Sequence, residues 1–375
     1  MNKRALMFTC LQLCLLILRT KIERGVTRDL VADIRDLSQD LRDKLCLDRK
    51  TCLILINNTR YFERRIAVTE VRLFDLIYNV DKVFCNVVCL DVGSIYSWAT
   101  VNMPTVEKLV LRFCSSRDEE WLRISAMFPS VTNLELRGES KWVFAFTESW
   151  LSGVAFPKLT RIRIWTHIVV IFGGDVTWMQ RDIACFKLAV YSSSLIDSTK
   201  LFWIINPATI QRFCVSGIDG RNDTWWKSVR FLRRVRMDNA FMLSLLLRRS
   251  DAELQTEQAS FFITSCDLGT PDELFAFAKQ ERRTLRILSV SVSSFFDCVW
   301  QKLTDVALRL FSDNPRLEIV KLTTHGSEPL CFVFFVPSLH NTAWVKRKTR
   351  NDPKNALREF YAVDNSGTFH KTDIQ

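Results

Sequence analysis

Half of a set of eighteen regularly spaced slots in this chain carry arginine or lysine. The slots are Lys108, Val110, Arg112; Asn133, Glu135, Arg137; Arg161, Arg163, Trp165; Cys185, Lys187, Ala189; Arg212, Cys214, Ser216; and Arg234, Arg236, Asp238. Nine are basic and two acidic, where chain-average usage of 52 Lys+Arg in 375 residues would put only about two or three basic residues there. Chemistry of this kind is anion recognition: guanidinium forks take carboxylate or phosphate oxygens in pairs, and like charge along one wall focuses positive potential. Arg161, Arg163, Arg212, Arg234 and Arg236 are the central candidates. Trp165 adds a flat apolar contact of the type enriched in interface hot spots, and Lys108, Arg112, Arg137 and Lys187 complete the face. The competing reading is structural, because exposed strand positions often carry long basic side chains whose stems cover apolar surface.

The slots are defined by an apolar frame, independently of charge. The frame reads apolar-x-x-apolar-x-apolar and recurs at Val87/Leu90/Val92, Val106/Leu109/Leu111, Val131/Leu134/Leu136, Leu159/Ile162/Ile164 and Ile183/Phe186/Leu188. It continues at Ile210/Phe213/Val215, Leu232/Val235/Met237, Leu285/Leu288/Val290 and Leu317/Val320/Leu322, with a weak unit that has Gln258 at its first anchor before Phe261 and Ile263. The mean period is about 26 residues, a repeat length at which one unit cannot bury its apolar face alone and stacks on its neighbours. Pro104, Pro129, Pro157 and Pro315 each stand two residues before a first anchor and Pro207 three before, where a missing N–H would stop a preceding helix. DEEWLRISAMFP, TESWLSGVAFP and TPDELFAFAKQER supply such helices. A further one places Trp300, Leu303, Ala307 and Leu310 on one face. Helix, proline break and short strand therefore predict an α/β solenoid: a curved parallel sheet inside, slots on its concave surface, helices outside.

Composition sets the remaining bounds. A 48% hydrophobic, 25% charged chain of net charge +11 has ample material for a folded core and favours acidic partners. Its twelve cysteines show no CxxC, and several, such as Cys89, Cys185 and Cys214, fall in predicted strands, which suits buried thiols in a reducing compartment. The four histidines are not paired with cysteines at ligand spacing, so no metal or other cofactor is expected. With no Gly-rich phosphate loop and no G-x-S-x-G, the sequence points to a non-catalytic binding protein.

Phrases such as FPSVTNLEL and NPRLEIVKL make residues 83 to 325 resemble the leucine-rich repeats of F-box proteins. The Asn or Cys expected eight residues after the first anchor stands only at Cys114 and Cys266. Upstream, DLVADIRDLSQDLRDKLCLDRKTCLIL resembles a degenerate F-box: Leu30, Ile34 and Leu37, then Asp40-Leu41, then Leu45, Cys46, Leu47, Arg49 and Lys50, without the leading Leu-Pro or the terminal Trp. The resemblance implies docking on a Skp-type adaptor and cullin through Ile34, Leu37, Leu41, Leu45 and Leu47. It also implies an adaptor role in a cullin-RING ubiquitin ligase, with an acidic or phosphorylated substrate held on the concave face in the cytoplasm or nucleus. The structural alternative for this module is a cap on the open end of the repeats.

The expected organisation is an apolar segment at 1–19, the F-box-like module at 20–58, the repeats at 59–343 and a polar tail at 344–375, in which VKRKTR at 345–350 reads as a nuclear-import signal or a solvated tail and the chain from Asn351 as a loosely ordered end. ALMFTCLQLCLLIL is too short to span a membrane but has the length of a signal-peptide core, which keeps a secreted leucine-rich binding module as an alternative. A nucleic-acid-binding scaffold is the third reading, supported by the interleaved WWKSVRFLRRVR.

Overall fold

The computed structural model describes residues 3–372 apart from 77–78, 96–99, 113–116, 139–142, 167, 172–180, 191–204, 217–227, 231, 238–254, 264–269, 293–308, 312, 325–329, 336–343, 350–359 and 364–368. Asp238, Cys114, Cys266, Trp225, Trp226, Lys227 and Phe231 of WWKSVRFLRRVR, and Trp300, Leu303 and Ala307 of the expected helix lie outside the described residues. The chain forms two compact units, residues 1–181 with 190–196, and residues 182–189 with 197–375.

In the first unit four helices precede the strands: α1 (Lys3–Arg24), α2 (Arg28–Asp36), α3 (Gln39–Cys46) and α4 (Arg49–Ile56). Thr27 caps α2 by accepting from the Leu30 N–H at 3.2 Å, and Asp48 caps α4 by accepting from the Thr51 N–H at 2.9 Å. The expected division at residue 19 falls inside α1, which runs unbroken to Arg24 and packs on α3 and α4 through buried Ile22, the Arg19-to-Lys44 carbonyl bond and a Lys50–Glu23 ion pair of 2.8 Å. Among the described residues no helix is long and apolar enough to cross a membrane.

The strands and helices that follow are β1 (Ile66–Ala67), β2 (Glu70–Leu76), α5 (Val80–Val83), β3 (Phe84–Cys85), β4 (Cys89–Ile95), β5 (Lys108–Leu111), α6 (Asp118–Met127), β6 (Asn133–Arg137), β7 (Val143–Phe146), α7 (Glu148–Leu151), β8 (Arg161–Thr166) and β9 (Ile168–Ile171). Strands β2, β4, β5, β6 and β8 pair in that order, all parallel and in register, while β1 pairs with β3 and β7 with β9. The second unit carries β10 (Cys185–Val190), β11 (Arg212–Ser216), β12 (Arg234–Met237), β13 (Gln258–Ile263), α8 (Thr270–Gln280), β14 (Ile287–Val292), β15 (Ile319–Thr324), β16 (Leu330–Phe335), β17 (Trp344–Thr349), β18 (Phe360–Val363) and β19 (Phe369–Thr372). Here β10 to β15 are parallel neighbours in sequence order, and β16 and β17 add antiparallel. Parallel strands joined through helices make the chain α/β, as expected.

Register is set by one backbone device. The carbonyl just before a strand accepts two consecutive N–H groups of the next repeat: Thr69 from Val88 and Cys89, Val88 from Glu107 and Lys108, Glu107 from Thr132 and Asn133, Thr132 from Thr160 and Arg161. Ala184, Arg233, Glu257 and Arg286 do the same in the second unit. The first anchors Val87, Val106, Val131, Leu159, Ile183, Ile210, Leu232, Leu285 and Leu317 are all at most 4% exposed.

The pre-proline residue plugs the core behind these strands. Met103, Phe128 and Phe156 are buried, and Phe156 takes a left-handed φ of 52° that a bulky side chain rarely adopts, held by its N–H bond to the Ser125 hydroxyl at 2.7 Å. Trp121 and Trp150 meet edge to face at 5.4 Å beside it. Buried Arg181 closes the cluster, donating to the carbonyls of Trp150, Ala155 and Phe156, and burial lowers its pKa to about 10. The helix ends as the prolines require, α6 stopping at Met127 before Phe128-Pro129.

Three expectations are corrected. The strand array starts one unit earlier than read, at Val68, Val71 and Leu73, all buried, on β2. The weak unit was framed two residues late: Gln258 pairs with Arg234 and lies in a slot, while the anchors are Thr256, Ala259 and Phe261. Thr256 stands where an apolar residue was sought; its backbone N–H bonds the buried Glu281 carboxylate at 2.9 Å, while its hydroxyl is buried with no hydrogen-bond partner among the described residues. At the C-terminal end VKRKTR is not loose chain: five of its residues and Trp344 form β17, paired along its length with β16, and a β18–β19 hairpin follows.

Leu134 is fully buried at the second anchor of β6. Leu134→Asp is therefore expected to cost more than about 3 kcal/mol, since it buries an unpaired charge among apolar side chains. Chemical denaturation monitored by tryptophan fluorescence checks this, and wild-type stability would contradict the anchor assignment.

Candidate functional site

On the sheet face opposite the anchors the slot residues fall into rows across paired strands. In the first unit one row runs Glu70, Cys89, Lys108, Asn133, Arg161, and the next Arg72, Asp91, Val110, Glu135, Arg163. Arg137 and Trp165 pair in the third row, and Arg112 directly follows β5. Sequence order did not show which of these charges neutralise one another. Asp91 and Glu135 are 6% and 3% exposed. Arg112 grips Asp91 with two bonds, Nε to Oδ1 at 3.2 Å and Nη2 to Oδ2 at 3.0 Å, while Arg49 reaches the same carboxylate from α4 at 3.4 Å. Glu135 takes Arg137 through Nε at 2.6 Å and also through Nη2, and Arg163 through Nη1 at 3.6 Å. Each buried carboxylate thus organises two guanidiniums. Arg137 also lies 6.0 Å from the Trp165 ring centre. Arg161 is exposed and, with Lys108, is in no ion pair among the described residues. Glu135, Val110 and Cys185, read as open-face slots, are buried.

In the second unit the equivalent rows run Cys185, Arg212, Arg234, Gln258, Ile287, Ile319 and Lys187, Cys214, Arg236, Ser260, Ser289, Lys321. The described residues of these two rows include four cations over three adjacent strands, Lys187, Arg212, Arg234 and Arg236, and no carboxylate. Cys214 lies among them. Burial pushes its thiol pKa up, against the pull of Lys187, Arg236 and Arg234. Of the acids at the strand starts, Glu257 pairs with Arg233 at 2.7 Å and also attracts Arg234, and Asp182 takes the Asn206 amide at 2.8 Å.

The expected adaptor positions divide by burial. Ile34 and Leu45 are fully buried core residues of the helical module, whereas Leu37, Leu41 and Leu47 are half-buried. The module is bound to the first strands by polar ties that include Arg42 donating to the Ala67 carbonyl at 2.9 Å, Asp43 accepting from the Thr69 N–H at 2.7 Å, and Arg49 pairing with Asp91. Exposed apolar side chains lie instead at Leu13, Leu16 and Ile17 of α1 and Leu53 of α4. The sequence reading passed over them because it treated α1 as a separate segment.

Comparison with protein-family models, curated proteins and solved structures finds no match to this chain.

Breaking a buried ion pair by removing one partner costs about 3–5 kcal/mol. Here both arginines are partly exposed and turn to water, so Glu135→Gln is expected to cost about 1–3 kcal/mol. Urea titration of the two proteins measures it, and no loss would show that Glu135 does not organise Arg137 and Arg163.

Proposed function

We propose that this protein is a non-catalytic recognition protein, a leucine-rich-repeat solenoid with an F-box-like helical module, that presents an acidic or phosphorylated protein substrate to a cullin-RING ubiquitin ligase. The observation that carries the recognition part is the in-register face of slots, where basic side chains from successive parallel strands are brought side by side at the inter-strand spacing of about 4.8 Å. Such a face takes an acidic ligand without any reacting group of its own. The ligase part rests on the resemblance of residues 28–56 to an F-box and on their folding as three consecutive short helices. Docking of a Skp-type adaptor and cullin would use Leu37, Leu41 and Leu47, which retain exposed surface, while Ile34 and Leu45 hold the module together.

The contacts of α1 with α3 and α4 favour this reading over a secreted binding module, because the apolar stretch is part of a helix packed into the same module. A cytoplasmic or nuclear location follows from the ligase reading. The polar ties to the first strands favour a second role for the same helices, covering the edge of the sheet, and the two roles are compatible.

The test is a pull-down of the full-length tagged chain from cell extract beside Leu37→Asp/Leu41→Asp, positions chosen because they are half-exposed. Recovery of a Skp-type adaptor and cullin by the first and at least about tenfold less by the second is expected. Absence of both partners from the wild-type sample would overturn the ligase role.

A further inference from the structure

The two units treat their cations differently. In the first, the middle row supplies its own anions: Asp91 serves Arg49 and Arg112, and Glu135 serves Arg137 and Arg163. In the second, Cys214 occupies the frame position that Asp91 and Glu135 hold, with Lys187 and Arg236 as its lateral neighbours, and its thiol brings no carboxylate. Arg212 and Arg234 are direct register partners in the adjoining row, so their Cα atoms lie about 4.8 Å apart on one face. The Nε of Arg234 is buried and has no hydrogen-bond partner among the described residues. Arg163 shares that feature, but its guanidinium is already paired with Glu135.

Like-charged side chains set side by side repel, and Glu257, which attracts Arg234, is itself bonded to Arg233, so the cluster keeps a net positive charge. The rest of the fold shows what this arrangement accepts, since in the first unit one carboxylate satisfies two guanidiniums. Four cations around one position call for more negative charge than a single carboxylate carries. A phosphoryl group brings close to two charges and three acceptor oxygens. Towards β13 both rows turn neutral at Gln258 and Ser260, so these four cations fall within about 10 Å across three strands. That breadth fits one phosphoryl group, whereas a nucleic-acid strand needs a track of cations along its backbone.

We propose that Lys187, Arg212, Arg234 and Arg236 form the binding site for a phosphorylated serine or threonine of a protein ligand. This rests on the reading of the slot face as a recognition surface and narrows it to three strands of the second unit. It is independent of whether the helical module binds a ligase.

The experiment uses the full-length chain and fluorescence polarisation with a degenerate peptide mixture centred on phosphoserine, against the same mixture unphosphorylated. The phosphorylated mixture is expected to bind at least about tenfold more tightly. Arg212→Gln/Arg234→Gln should lose at least about 100-fold, and Arg234→Lys, which keeps the charge but not the fork, about tenfold. Cys214→Glu should abolish binding by supplying the missing anion internally, with melting temperature held or raised, so that loss of fold is separated from loss of site. Arg24→Gln, an exposed change on α1 away from the slots, should bind as wild type does. Equal binding of the two peptide mixtures would overturn the proposal. Loss in Arg161→Gln but not in Arg212→Gln/Arg234→Gln would also overturn it, while leaving the slot-face reading standing. Undiminished phosphopeptide binding by every variant would remove the slot-face reading itself. Inorganic phosphate competing at the concentration of the phosphopeptide would reassign the site to a free anion. Tighter binding of a 20-nucleotide single-stranded RNA than of the phosphopeptide would reassign it to nucleic acid.

Discussion

A single backbone constraint recurs in both strand arrays: the carbonyl just ahead of a strand accepts two consecutive N–H groups at the start of the next, at Thr69, Val88, Glu107, Thr132, Ala184, Arg233, Glu257 and Arg286. With that bond in place the parallel strands have no freedom to slip, and side-chain alternation sends every anchor to the core and every slot to the opposite face. A slip of one residue would reverse this and bury arginine in place of leucine. Burial of the anchors then stabilises the register that the backbone specifies, at about 1.5–3 kcal/mol for each fully buried aliphatic or aromatic side chain. Charge on the face is a consequence of this geometry, because neighbouring slots are forced to about 4.8 Å whatever side chains they carry.

Such enforced proximity makes the choice of slot residue consequential. In the first unit Asp91 and Glu135, both nearly inaccessible, turn four guanidiniums from mutual repulsion into two compact clusters. The Asp91 cluster also binds the helical module, since Arg49 opens α4 and reaches into the sheet face. Arg49 lies 5.1 Å from the Phe74 ring centre, so the same side chain packs against β2 as well as pairing with an acid. Arginines of the first unit are thereby structural as well as exposed. Those of β11 and β12 have no such partner among the described residues, which is why ligand recognition is assigned to them.

Much of this architecture was legible in the sequence because apolar anchors are large and proline positions are unambiguous. The frame located β4, β5, β6, β8, β10, β11, β12, β14 and β15, and the helix signals located α6 and α8. It failed ahead of β13, where the first-anchor position holds a buried threonine, Thr256, in place of an apolar residue. It also stopped short at Val68, where a 19-residue unit with only the single-turn α5 before β3 gave no helical cue. Of the candidate site, the positions were readable and the pairing was not. Glu135 stood in the slot pattern as one of two acids among nine bases, and nothing linear reveals that it binds Arg137 two residues away and Arg163 from the next strand. Asp91 lay in a unit whose slots were not read, and its partner Arg49 is 42 residues away in a helix assigned to another module.

The most direct test of the difference between the two units is arginine-selective modification of the folded, full-length chain with phenylglyoxal, followed site by site with mass spectrometry. Guanidiniums held by carboxylates should react slowly and those without a partner quickly. Arg212, Arg234 and Arg236 are expected to react several-fold faster than Arg112, Arg137 and Arg163. Equal rates in the two sets, or protection of Arg212 and Arg234 in the absence of ligand, would contradict the assignment of an open anion site to the second unit.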